Sequence, residues 1–383
     1  MSFVITDEEI QELIKNSKKL ENDDLVLGVI MNVPFDRLMS SIVTCTDIKK
    51  AEVLAKLLLT DECVEQMRTL EDGAEKLFWT TTSVWGIQLN VLENIIEAIE
   101  KLNQYRRPEK SIDILYNAIW NKREDIPLGL FWESLILNVE IHGMLLCDRY
   151  RIQELIKWLQ NRDIPLNKME EIEWRYLSVL SEVDGCEPKF LWKKLSFDPN
   201  FFVEILKIIY GKTYWKNVTK EVKTQIAEQS FRLLFGWKII PGLKEDNRID
   251  KNNLEKWILE VKDATRENHL TETAMNYLGK TMFYAPVASD GFFIDRCVAQ
   301  LLQNDIDDMI RSGYYTEAIN SRGAYFVDPT GSKEFEIESS YLEKARKADA
   351  EGYFRFAETL RKIATFYHKE GENNIVEDRG EEI

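Results

Sequence analysis

Metal and acid–base chemistry would have to come from histidine, cysteine and clustered carboxylates. The chain has three histidines, His142, His269 and His368, far apart and none with a second histidine one turn away. Each reads as a helix residue on or near the surface. His368 is expected in the last turn of the final helix, where a cation suits the dipole. The five cysteines, Cys45, Cys63, Cys147, Cys186 and Cys297, are odd in number and scattered. No C-x-x-C pair exists, so neither a zinc site nor a disulfide framework is predicted. Asp305, Asp307 and Asp308 together could hold Mg²⁺. They are read instead as the solvated first turn of a helix.

Phosphate chemistry needs a glycine-rich turn between a strand and a helix. Gly211-Lys212-Thr213 has the residue types of a P-loop end but lacks the upstream glycine and the strand. Gly211 reads as a helix C-cap. There is no Gly-x-Ser-x-Gly, and no serine or cysteine stands in a local signature with a histidine. No catalytic residue, metal ligand or cofactor is therefore predicted.

Two features suit binding rather than catalysis. Asn320-Ser321-Arg322-Gly323 sets a planar guanidinium beside a permissive glycine. It reads either as an anion or partner recognition loop, or as Arg322 paired with an acid of the last helix and Gly323 turning the chain. The ten tryptophans read first as filler between helices, since each buries a large area. The sharper alternative is an aromatic surface gripping a partner. Asn320, Arg322, Gly323, Trp174 and Trp237 are the candidate interaction residues.

The elements that would position these residues are helices. Thr6 and Glu9 form a capping box ahead of Ile10, Leu13 and Ile14. Leu89, Leu92, Ile95, Ile96, Ile99 and Leu102 recur at helical spacing. Asp198-Pro199 opens a helix that is apolar on nearly every face from Phe201 to Ile209. It is expected at the centre of the C-terminal half. Gly73, Pro108, Pro127, Pro165, Gly185, Pro188, Gly211 and Ile240-Pro241-Gly242 break the chain into short helices, in pairs near the periods of helical repeats. Strand patterns are almost absent; the best is Ala324-Tyr325-Phe326-Val327, read as an extended loop.

The fold class expected is all-α, an irregular helical-hairpin repeat array of α-solenoid type with a C-terminal helical subdomain. A compact helical bundle is the competing architecture. The regions expected are an N-terminal repeat region over 1–165, a central helical region over 166–237, a subdomain over 238–370 containing an irregular loop at 312–337, and an acidic tail over 371–383.

Composition narrows the partners. The 383 residues are 44% hydrophobic and 30% charged, an ordinary globular balance. The formal net charge is −16. Nucleic acid and anionic membrane both select for basic surfaces, so neither is an expected partner. The N-terminus lacks the features of a signal peptide, and no apolar run is long enough to cross a bilayer. Cytoplasmic location is the expectation.

Several segments in order carry a resemblance: Glu171-Ile172-Glu173-Trp174-Arg175-Tyr176-Leu177, Ser196-Phe197-Asp198-Pro199-Asn200-Phe201-Phe202-Val203-Glu204, Gly236-Trp237-Lys238-Ile239-Ile240-Pro241-Gly242, Tyr284-Ala285-Pro286, Asp290-Gly291 and Asn320-Ser321-Arg322-Gly323. Over residues 165–370 the chain resembles the C-terminal region of very large bacterial multidomain proteins, some with an NTPase portion upstream. The resemblance implies a role in bacterial defence or stress sensing. The residues of such an NTPase portion are not in this chain, so its activity is not carried over.

The functional expectation is a non-enzymatic scaffold or sensor that binds a protein or peptide. The alternatives are an enzyme with a carboxylate-lined cleft in a helical fold, and a structural subunit of a larger assembly.

Overall fold

Short polar side chains start many of the helices. Thr6, Thr46, Thr60, Asp148, Asp198, Thr219, Asp250 and Asp295 each accept a hydrogen bond from a backbone N–H of the first turn. Each such cap satisfies a donor the helix leaves unpaired, for about 1 kcal/mol. The Thr6–Glu9 capping box and the Asp198 cap are both present, and Gly211 is the C-cap of its helix.

The computed structural model describes residues 5–17, 24–83, 86–143, 148–180, 184–211, 219–323 and 328–378. These residues are all-α, as the periodicity predicts. The exceptions are a two-stranded parallel pair, β1 (Leu59–Thr60) and β2 (Ile87–Gln88), and one antiparallel bridge from Leu243 to Ile249. No helix among the described residues is long and apolar enough to cross a membrane.

The chain divides into two compact units, Met1–Glu187 and Pro188–Ile383. The first holds α1 (Asp7–Asn16), α2 (Asp24–Asn32), α3 (Phe35–Ile42), α4 (Asp47–Leu54), α5 (Asp61–Met67), α6 (Asp72–Thr81), α7 (Leu92–Gln104), α8 (Pro108–Trp120), α9 (Leu128–His142), α10 (Arg149–Leu159) and α11 (Leu166–Arg175). Helix α8 packs on α7, α9 and α10, and α9 also packs on α7 and α11. The apolar stripe of α7 is buried through Ile95, Ala98, Ile99 and Leu102. Polar side chains tie these layers together. Asn103 Nδ2 donates to Ser134 Oγ at 2.9 Å, Tyr176 Oη to the Leu135 carbonyl at 2.8 Å, and Gln160 Nε2 to the buried Glu173 at 2.7 Å.

The second unit holds α12 (Lys189–Phe197), α13 (Pro199–Tyr210), α14 (Lys220–Phe235), α15 (Lys251–Arg266), α16 (Thr271–Met282), α17 (Arg296–Asn304), α18 (Met309–Asn320), α19 (Ser332–Ala350) and α20 (Phe354–Asp378). Helix α13 packs on α12, α14 and α15, the many-sided burial its apolar surface predicts. Its Phe202 lies 5.2 Å from the ring of Trp237 and 4.9 Å from that of Trp257. Helices α16 and α18 cross at two glycines. A Cβ on Gly279 would fall 1.9 Å from the Ile310 carbonyl oxygen, and one on Gly313 would fall 2.0 Å from that of Asn276.

Two expectations about segments are corrected. Residues 312–337 are not one irregular loop: α18 runs on to Asn320 and α19 begins at Ser332. The glycines misled, because Gly313 serves helix crossing and only Gly323 and Gly331 adopt positive φ. The tail does not start at 371, because α20 continues to Asp378 with Gly371 and Asn374 buried. Gly371 sits against Gly331 and the Phe335 ring of α19, so it is a packing glycine and not a helix stop. Ala324–Val327 and residues 379–383 lie outside the described residues.

Candidate functional site

Helices α18 and α20 line a cleft of about 500 Å³ in the second unit. Both walls follow from helical spacing. Asp308 (the N-cap residue of α18), Arg311, Ser312 and Tyr315 form one stripe; Glu358, Lys362, Thr365, Phe366 and Lys369 form the other. These are three- and four-residue intervals, so each set lies on one helix face. The opposite face of α20 is committed to the core through Phe356, Leu360, Ile363 and Tyr367. That face itself meets α18, with the Phe356 ring 5.3 Å from that of Tyr314 and Tyr367 Oη donating to the Ala318 carbonyl at 3.0 Å, and the polar stripe is left along the cleft.

The cleft has a fixed floor and an adaptable rim. Arg311 is buried at 8% exposure. Its Nη1 donates to the carbonyls of Leu302, at 3.2 Å, and Asp305, and its Nη2 lies 2.9 Å from Asp308. Thr359 is buried beside it, and Tyr315 and Phe366 are half-buried walls. Arg361, Lys362 and Lys369 are exposed. Arg361 pairs with Asp349, and Lys362 lies 3.5 Å from Glu358. Exposed pairs of this kind contribute about 0–1 kcal/mol, so an incoming anion exchanges them readily. Lys362 and Lys369, two turns apart, place charges about 10 Å from one another along the helix.

The lining therefore carries four cations and two acids, in a chain with a net charge of −16. That is the reverse of the carboxylate-lined cleft that an enzymatic reading expects beside Asp305. The three aspartates do not form the first turn of a helix; they lie in the connection before α18. Asp305 Oδ2 accepts from the Arg311 backbone N–H at 2.8 Å, and Asp308 pairs with the Arg311 guanidinium. No group of histidine, cysteine and acidic residues suited to a metal ion occurs among the described residues.

The residues singled out from sequence fall elsewhere. Trp174, in the first unit, is half-buried on α11. Trp237 is 2% exposed and its indole N–H donates to Ser196 Oγ at 2.9 Å, so it belongs to the core. Asn320 and Gly323 are exposed at the end of α18, with Gly323 at φ +63° turning the chain. Arg322 pairs with Glu334 of α19, the helix before the last, at 2.6 Å. Asn320, Arg322 and Gly323 share one corner, while Trp237 belongs to the cluster around α13.

His368 is corrected too. It lies ten residues before the end of α20 and not in its last turn. Its Nδ1 is 2.9 Å from Glu338 of α19 and its Nε2 is 3.4 Å from Glu372. The hydrogen bond and charge of Glu338, with a smaller contribution from Glu372, raise its pKa above the usual histidine value.

Comparison with family models, curated proteins and solved structures gives no match. The cleft residues Arg311, Lys362, Thr365 and Lys369 were not signalled by sequence, because a polar stripe opposite an apolar one reads as a solvated face. Only the packing of α20 on α18 distinguishes it.

Proposed function

We propose that the chain is a non-enzymatic interaction module whose second unit takes a short acidic, aromatic-bearing segment of a partner protein in the α18–α20 cleft. The observation that carries this reading is the clustering of Arg311, Arg361, Lys362 and Lys369 around two aromatic walls within a strongly acidic protein. The cations attract carboxylates, the hydroxyls of Ser312 and Thr365 offer hydrogen bonds, and Tyr315 and Phe366 offer apolar contact. A phosphate polymer is a poorer fit, because the long-range field of the whole chain opposes it.

The proposal includes the hairpin-repeat architecture. In the first unit, several side-chain hydrogen bonds join residues 26 to 41 positions apart, a separation in the range of helical-repeat periods, beside shorter ones such as Ser111 to Ile99 and Gln160 to Glu173. It also includes a place at the recognition end of a bacterial defence or stress assembly, on the strength of the residue pattern between Glu171 and Gly323.

Fluorescence anisotropy tests the binding. The probe is a labelled nonapeptide of glutamates with a phenylalanine at every third position. Wild-type protein is expected to bind it in a salt-dependent manner, and the variant Lys362→Glu/Lys369→Glu at least about tenfold more weakly. Equal binding by that variant, with its helical spectrum intact, would reject the proposal.

A further inference from the structure

The first unit contains a cavity of a different chemistry. It measures about 460 Å³ and lies between β2, the start of α7 and the end of α8. Leu89, Ile95, Ile114 and Ala118 make its apolar floor, and Asn90, Asn117, Asn121 and Arg123 its polar rim. The volume is in the range of ligand sites. No carboxylate lines it, although the chain has 66 acidic residues. The one charge in the lining is cancelled: Arg123 grips Asp125 through Nε at 3.0 Å and Nη2 at 2.7 Å, and its Nη1 donates to the Asn90 carbonyl at 2.6 Å. The site is thus neutral, polar at its mouth and apolar beneath.

The carboxamides are held in a defined arrangement. Asn121 Nδ2 donates to Asn117 Oδ1 at 3.0 Å. That bond spends one end of each side chain and leaves the Asn117 NH₂ and the Asn121 carbonyl without a protein partner among the described residues. A carboxamide donor beside a carboxamide acceptor can take the C=O and the N–H that an extended peptide presents on one side. Independently, β2 has β1 as its only strand neighbour among the described residues, and Ile87 of β2 lines the cavity. A strand with an open edge accepts another strand.

We infer that this cavity binds an extended, uncharged peptide segment through its backbone, with the Asn117 NH₂ and the Asn121 carbonyl bonding a backbone C=O and N–H of the peptide and one apolar side chain entering the floor. The site is separate from the α18–α20 cleft and does not depend on the function assigned to that cleft.

The test follows the side-chain carboxamide resonances of ¹⁵N-labelled full-length protein, assigned by Asn117→Ala and Asn121→Ala. The probe is a blocked pentapeptide of alternating threonine and valine. Saturable shifts of both carboxamides are expected, with affinity falling by about tenfold or more when the valine amides are N-methylated. The double variant, followed through backbone amide shifts around Ile87, is expected to lose saturable binding. The N-methyl comparison uses wild-type protein, so it stands even if a variant folds poorly. Absence of shifts at millimolar peptide, equal binding of the N-methylated peptide, or equivalent shifts with methyl glucoside would overturn the inference.

Discussion

The Arg322 guanidinium stands 2.6 Å from the Glu334 carboxylate, which is fully enclosed. The contact is ionic, without hydrogen-bond alignment between the two groups. Attraction in so dry a place is strong only while both partners remain. Arg322→Ala is expected to destabilise the protein by about 3–5 kcal/mol, because it strands a buried charge. Replacing both residues by leucine is expected to cost less than either single change. Urea unfolding of the three variants checks this, and a double variant weaker than both singles would contradict it.

The crossing of α16 and α18 is set by the absence of two side chains. Alanine normally favours a helix over glycine by about 1 kcal/mol. At Gly279 or Gly313 the added carbon would meet backbone oxygen at 1.9 or 2.0 Å. Gly279→Ala and Gly313→Ala are therefore expected to lower stability by about 1–3 kcal/mol or more, the range of overpacking. Thermal unfolding would show a reduced Tm; an unchanged or higher Tm would mean that the helices do not approach so closely.

His368 makes the α19–α20 contact sensitive to pH. Glu338 and Glu372 face its ring nitrogens, and the Phe335 ring lies 5.7 Å away. Its folded-state pKa is raised. The stabilisation is thus complete below the unfolded value, about 6.5, and is lost as pH rises through the folded value. Urea midpoints across that window are expected to fall for wild type and to lose this component in His368→Gln. Identical slopes in the two proteins would remove His368 from the account.

Trp237 is a core residue with a spent indole N–H. Trp237→Phe is expected to cost about 1–3 kcal/mol by stranding polar partners, and Trp237→Ala about 3–5 kcal/mol by opening a cavity. Denaturant titration distinguishes this from a surface role, in which alanine would leave stability nearly unchanged.

Helices, caps and buried stripes were legible in sequence because they depend on neighbours three or four residues away. Thr6 with Glu9, Asp198 with Pro199, and the α7 stripe all appear where their spacing puts them. What failed depends on partners distant in sequence. Gly313 and Gly371 read as breaks, yet each makes room for another helix. Trp237, a candidate for partner contact in a set that reads first as filler between helices, is filler: Phe202 and Ser196 pack against it. The cleft was invisible because Arg311 and Lys369 are 58 positions apart, and only tertiary packing brings their helices together.

Photocrosslinking measures the location of the acidic segment most directly. A benzophenone replaces the central phenylalanine of the glutamate-rich nonapeptide, and the adducts are mapped by mass spectrometry. Adducts concentrated on residues 308–315 and 358–369, abolished by Lys362→Glu/Lys369→Glu, are the predicted result. Adducts distributed over other surfaces, or unaffected by reversing those charges, would contradict it.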